Sequence, residues 1–310
     1  LRSGLSDRST GQPIVGDPFV RIGSVSKTYL AVAVLQAAQR GQLALGDTLA
    51  KWLPGVLPKL DEPAITIRML LDHTSGVPDP TPELLRHPRR FGPAPVTPAT
   101  LVADARGLAP TAAPGVAFSY SNTDYWLLAM ILKRATHRDY ITQIADDELH
   151  PLRLHHTVLP HDTTQMPRPD LHGYALRPGR PPLDVTAFNA SWGSSSGGMI
   201  ATAGDLAQYA HALLGGRLLA PGTLVEMERG GTPVPANPIG ASDYGLGLVT
   251  LRLECGTTLY GNMGGLSGYT TWMLSTLHGT QQIVVEANTN ELPRIDAAIR
   301  SVVQAAFCAR

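Results

Sequence analysis

The 310-residue chain is 43% hydrophobic and carries 25 basic against 25 acidic side chains, enough apolar content for one large core or two moderate ones. The balanced charge, with no run of one sign, argues against a nucleic-acid partner, which needs a basic footprint. No apolar run reaches the roughly 20 residues that span a bilayer, and the first 20 residues lack the charged-then-apolar layout of a signal peptide.

Residues 24–40 (SVSKTYLAVAVLQAAQR) set Leu30, Ala31, Val34, Leu35 and Ala38 at helical spacing, with Gly41 as the stop. From 42 to about 190, short helical patterns (ITIRMLLDHTSG, NTDYWLLAMILKRATH) alternate with loops rich in proline and glycine, the longest around PDPTPELLRHPRRFGPAPVTP. Another amphipathic helix lies within GGMIATAGDLAQYAHALLGG, with Asp205 near its start. Then come four runs of strand character, YGLGLVTLRLE, TTLYGN, GYTTWMLST and QQIVVEANT, and a closing helix, DAAIRSVVQAAF. Late strands and a helix-rich middle predict an α/β (α+β) fold, an antiparallel sheet flanked by helices with an inserted all-helical domain. The sheet domain is expected to take residues 1–50 and 190–310 and the helical domain 51–189. The active site is expected in the cleft between them.

Three short elements carry chemistry. Ser24 and Lys27 are three apart at the start of a helix, so both project on one face near its N-terminus. A lysine desolvated in a cleft can lose its proton and activate a serine, while the free N–H groups of the helix start can receive an oxyanion. Only four lysines occur in the chain, against 21 arginines, so a lysine at this spacing is harder to obtain by chance. Tyr120-Ser121-Asn122 sits in a turn before the next helix, where a tyrosine can relay a proton and an asparagine amide can hold a substrate. Asn262-Met263-Gly264-Gly265 falls between the strands TTLYG and GYTTWML, and its glycines let the backbone approach a ligand. Cys255 and Cys308 read either as a bridge or as two separate thiols. There is no Cys-x-x-Cys and no His-x-x-x-His, so neither a metal nor another cofactor is expected.

Taken together, Ser24-x-x-Lys27, Tyr120-x-Asn122 and the 262–264 triad resemble the serine β-lactamase and penicillin-binding-protein superfamily in order and spacing. The class C-like branch is the best fit. Leu70-Leu71-Asp72-His73-Thr74-Ser75-Gly76, Ser119-Tyr120-Ser121-Asn122, Gly197-Gly198-Met199 before Ala203-Gly204-Asp205, and Tyr244-Gly245-Leu246-Gly247-Leu248 look like that branch too. The resemblance covers nearly the whole chain and is nearest to the soluble D-alanyl-D-alanine carboxypeptidases. It implies Ser24 as nucleophile, Lys27 and Tyr120 as the acid/base pair, Asn122 as a substrate-positioning residue, and the N–H groups of Ser24 and Gly265 as the oxyanion hole. It also implies a Cys255–Cys308 disulfide and, with it, an extracytoplasmic location.

Two departures bear on substrate. The third motif, His-Thr-Gly or Lys-Thr-Gly in the family, reads Asn262-Met263-Gly264, and the arginine that follows Tyr-Gly-Leu-Gly-Leu in the carboxypeptidases is replaced by Val249. These positions normally serve a substrate carboxylate, so the expected donor is an ester or amide without one. Strand alternation puts Arg252 on the face opposite Val249, a poor replacement. The partners expected are a small-molecule or peptide-like acyl donor and either water or an amine as acceptor, the latter as in the acyltransferases of natural-product assembly. The alternatives are a D-alanyl-D-alanine carboxypeptidase or class C-like β-lactamase, and a catalytically silent binding protein on the same fold. Ser24 also stands only 23 residues from the start, where family members carry an N-terminal helix and a further strand. Either that segment lies outside this sequence or the sheet edge is covered differently.

Overall fold

A computed structural model describes residues 1–86, 95–160, 162–177, 179–228, 231–237, 240–289 and 294–308. Its frame is an antiparallel meander of six strands: β1 (Thr232–Pro233), β2 (Ala241–Tyr244), β3 (Val249–Arg252), β4 (Thr258–Leu266), β5 (Tyr269–Thr276) and β6 (Gln282–Ala287). Each strand lies beside its neighbours in sequence, β6 forming one edge and β1 the other. The period of two sorts the side chains of β5 onto opposite faces. Tyr269 and Met273 enter the main core, while Trp272 and Leu274 enter a second apolar cluster.

Four helices matter for the site: α1 (Ser26–Gln39), α2 (Asn122–Thr136), α3 (Ala203–Leu214) and α4 (Arg294–Cys308). The first three contribute to the main core, and Ile299 and Val303 of α4 pack into the second cluster. The sheet is therefore a middle layer with helices on both faces, the mixed antiparallel architecture expected. Helix α1 is buried from Ser26 to Ala37 on every side, as a helix apolar all round must be. Three of its buried side chains donate to carbonyls: Ser26 Oγ to Gly23 O at 2.7 Å, Thr28 Oγ1 to Gly247 O at 2.9 Å and Gln36 Nε2 to Leu218 O at 3.1 Å.

The structure departs from the sequence expectations in several places. Most of the regular structure within residues 51–189 is helical, but it also includes a hairpin, Tyr174–Arg177 with Arg180–Asp184. That hairpin and β1 are short, carry prolines and are largely exposed, so they show little hydrophobic alternation. The stretch YGLGLVTLRLE is broken by a turn between β2 and β3, with Gly247 at φ +85°. Most consequentially, Asn262-Met263-Gly264-Gly265 lies inside β4, not between strands. The turn comes later because Leu266 pairs with Tyr269 across two residues, Ser267 and Gly268. The long loop read around 78–98 contains a short helix, Thr81–Arg86, and its 87–94 portion lies outside the described residues.

Cys255, between β3 and β4, is bonded to Cys308 at the end of α4, with the Cα atoms 5.7 Å apart. The bridge clips α4 to the sheet. It closes a loop of 53 residues, worth roughly 4 kcal/mol in the chain-entropy picture. Cys308→Ser should therefore lower the unfolding free energy in urea by up to about that amount. Two free thiols in the denatured, unreduced protein would contradict the pairing.

Candidate active site

Ser24 lies in a single 3-10 turn, Gly23–Val25, that leads into α1. The nucleophile candidate is therefore held just before the helix proper, not in its first α-turn. Lys27 follows within α1, and the 3-residue spacing brings its Nζ to 3.2 Å from Ser24 Oγ. From the other side the Tyr120 hydroxyl comes to 2.7 Å from the same oxygen. The sequence separations are 3 and 96 residues, so helix geometry supplies the first contact and tertiary packing the second.

Lys27 is completely buried, and its Nζ also donates to Asn122 Oδ1 at 2.7 Å and to the Ser196 carbonyl at 2.8 Å. Burial lowers its pKa from 10.5 to about 7, opposed in part by Asp79. In the uncharged amine the two hydrogens go to Asn122 and Ser196, which leaves the lone pair on the Ser24 side. Tyr120 is 39% exposed as a residue, yet the packed surroundings of its phenol, with Tyr244 adding to the effect, push its pKa well up. The phenol keeps its proton at neutral pH.

The backbone completes the arrangement. Beyond Gly261 strand β4 has no partner in β3, so residues 262–266 pair only with β5. The Gly265–Thr270 pair is one step in from the two-residue turn, hence the wide kind, and the Gly265 N–H points to the open side of the strand. Gly23 lies on that side: a Cβ there would stand 2.8 Å from Gly265 O and 2.9 Å from Gly265 N, and a Cβ at Gly264 would collide with the Ile22 carbonyl. Side chains at 23 and 264 would separate the two segments. The Ser24 N–H, in a first turn with no acceptor of its own, and the Gly265 N–H thus belong to adjoining backbone segments.

Other expected residues are placed differently. The Asn122 amide is already engaged, its Nδ2 donating to Asp79 Oδ2 at 3.0 Å and to Thr81 Oγ1 at 3.2 Å. Asn262 is buried, and its Nδ2 donates to Thr28 Oγ1 at 3.0 Å and to the Gly247 carbonyl at 3.2 Å. It bridges β4, α1 and the β2–β3 turn. Val249 and Met263 are buried together in the second apolar cluster, against which Phe118 packs. Arg252 is exposed, lies 3.6 Å from Asp243, and pairs across the sheet with Thr258. Thr258 is six residues from Gly264 along β4, roughly 20 Å at strand rise. The sequence reading assigned no role to the Ser196 carbonyl, Asp79, Thr81 or the buried pair His73–Asp124. A backbone carbonyl leaves no side-chain signal. His73 lies within, and Asp79 just after, the stretch Leu70–Gly76 that resembles the family.

Comparison with known proteins places these residues in context. The family model described as Beta-lactamase matches residues 1–306. The structure of a D-stereospecific amidohydrolase from Streptomyces sp. superposes with a TM-score of 0.87 at 32% identity, over 96% of this chain and 88% of that one. That of the D-amino acid amidase from Ochrobactrum anthropi SV3, complexed with L-phenylalanine amide, gives 0.89 at 25% identity, over 99% and 89%. Protein flp of Staphylococcus aureus (strain MW2) is 29% identical over 214 residues, 67% of this chain and 42% of that protein. The match therefore spans less than half of that relative's length.

Proposed function

The chain belongs to the beta-lactamase family, whose members compared above include serine hydrolases, and we propose that it acts through a Ser24 acyl-enzyme on amide or ester donors lacking a free terminal carboxylate. The observation that carries this reading is the shared contact at Ser24 Oγ, with Lys27 Nζ at 3.2 Å and Tyr120 OH at 2.7 Å. Ser24 Oγ attacks the donor carbonyl carbon while its proton passes to neutral Lys27. The oxyanion takes hydrogen bonds from the Ser24 and Gly265 N–H groups. When the C–N or C–O bond breaks, the leaving group takes a proton from Tyr120. Water or an amine then attacks the acyl carbon and gives up a proton to the Tyr120 phenolate, and Ser24 Oγ leaves with the proton held by Lys27. In this reading Asn122 braces Lys27, Asn262 ties β4 to α1, and Val249 and Met263 back the site with an apolar wall.

Donor choice follows from the third motif. A carboxylate taken out of water without a cation or donor loses several kcal/mol of solvation. Val249 and Met263 offer neither, the Asn262 amide is occupied, and Arg252 is remote. The two amidase structures support amide donors, and their names support D-configured acyl groups. We expect kcat/KM for the methyl ester or amide of a D-Ala-D-Ala tripeptide to exceed that for the free acid by at least tenfold. Adding an amine tests transfer, through the yield of amide product. A better free acid would replace this reading with a carboxypeptidase.

A further inference from the structure

We propose that His73 is a positioning residue for Tyr120, gripping the chain on both sides of that tyrosine so that its hydroxyl stays on Ser24. The inference rests on the reading of Tyr120 as a proton donor. His73 is fully buried just after the short helix Ile67–Leu71, with φ +60°. Its carbonyl accepts the Ser119 N–H at 2.8 Å, and its Nδ1 lies 3.3 Å from the Ser121 nitrogen, which donates to it. One residue thus holds positions 119 and 121, with Tyr120 between them. The two rings are also in contact, their centroids 4.5 Å apart and tilted by 43°.

The clamp is itself anchored. His73 Nδ1 is 2.9 Å from Asp124 Oδ2, and Asp124 Oδ1 accepts from Ser75 Oγ at 2.6 Å. Asp124 belongs to the first turn of α2, the helix into which Tyr120-Ser121 leads. Nδ1 cannot donate to Asp124 while accepting from Ser121. A protonated Asp124 facing a bare Nδ1 lets both neighbours donate, the carboxyl at 2.9 Å and the Ser121 N–H at 3.3 Å sharing its single lone pair, and burial favours that state, raising Asp124 and lowering His73. Burial favours a neutral hydrogen-bonded clamp over an ion pair. The proton then sits on His73 Nε2, which has no hydrogen-bond partner among the described residues. The ring is enclosed by Phe118, Tyr120, Tyr125 and Tyr244. A buried, unpaired N–H costs stability that an apolar side chain would not. Packing alone therefore does not account for a histidine at this position.

The test is a double-mutant cycle with a small activated ester, reading kcat, KM and the rate at which Ser24 is acylated. His73→Leu removes the acceptor for Ser121, whereas His73→Asn keeps an acceptor and tolerates the left-handed backbone. We expect His73→Leu to lower kcat about 30-fold, as misplacement of a reacting group does, with KM within about threefold, and His73→Asn to restore most of the rate. In a Tyr120→Phe background the same His73→Leu change should cost less than about threefold, because the group it positions is gone. An equal loss in both backgrounds, or no loss in either, overturns the proposal. Should the leucine variant fail to fold, His73→Asn in the two backgrounds carries the comparison, its smaller loss vanishing with Tyr120→Phe if the proposal holds and persisting if it does not. Full activity of Tyr120→Phe alone is a different result: it removes the premise about Tyr120 and is recognised before any His73 variant is made.

Discussion

Ser24→Ala should abolish turnover, with kcat falling by at least about 10⁴-fold, since removing the nucleophile of a serine enzyme leaves only what binding and the oxyanion site supply. The variant should also fail to gain mass from an activated ester or a β-lactam that labels the wild type. It should remain folded. Ser24 Oγ contacts the Tyr120 hydroxyl and Lys27 Nζ, and the lysine keeps Asn122 Oδ1 and the Ser196 carbonyl when that oxygen is gone. A melting temperature close to wild type, together with lost turnover, separates a missing nucleophile from a damaged fold. Near-wild-type turnover would sink the mechanism. Normal ligand binding with no adduct on the wild-type protein from any probe would favour the silent binding protein.

The sequence spoke most clearly where chemistry depends on local spacing. The three-residue step from Ser24 to Lys27 is helix geometry, and it survives even though Ser24 sits in a 3-10 turn ahead of α1. The late strands and the closing helix were legible because their apolar residues follow a period of two or of 3.6. What could not be read depends on the third dimension. That Asn262 faces inward to Thr28 and Gly247 follows from the register of β4 against β5, which the two-residue turn at Ser267-Gly268 sets. A turn two residues earlier, at Gly265-Leu266, would have taken Gly265 out of the strand and left Gly264 as its last residue. Asp79 and Thr81, which fix the Asn122 amide, lie 43 and 41 residues away from it. His73 and Asp124 are 51 residues apart, with no motif joining them. Buried hydrogen-bond networks of this kind join side chains whose types are common and whose spacing carries no period.

Lys27 should lose at least about 100-fold in kcat on replacement by alanine, in the range typical of a proton-transfer partner, and arginine should not rescue it. A guanidinium keeps the charge but cannot give up its proton near neutral pH, so Lys27→Arg distinguishes a base from a fixed cation. The pH profile of the wild type tests the same point. With the Lys27 pKa lowered to about 7 by burial, the neutral amine is scarce below pH 7, and kcat/KM should rise roughly tenfold per unit there and level off above about pH 8. A flat profile from pH 5 to 8, or substantial activity in Lys27→Arg, would remove Lys27 as the base. The same shift has a consequence for stability with a fixed sign. Between pH 7 and the ordinary lysine value of 10.5, the unfolded chain holds a proton that the folded protein does not. Unfolding therefore takes up protons, and stability from this group rises as pH rises through that window. Lys27→Met lacks the group, so the wild type should gain on it steadily from pH 7 to 10 in urea melts. A gap that does not change with pH would mean that burial does not deprotonate Lys27, and the base would have to be sought elsewhere.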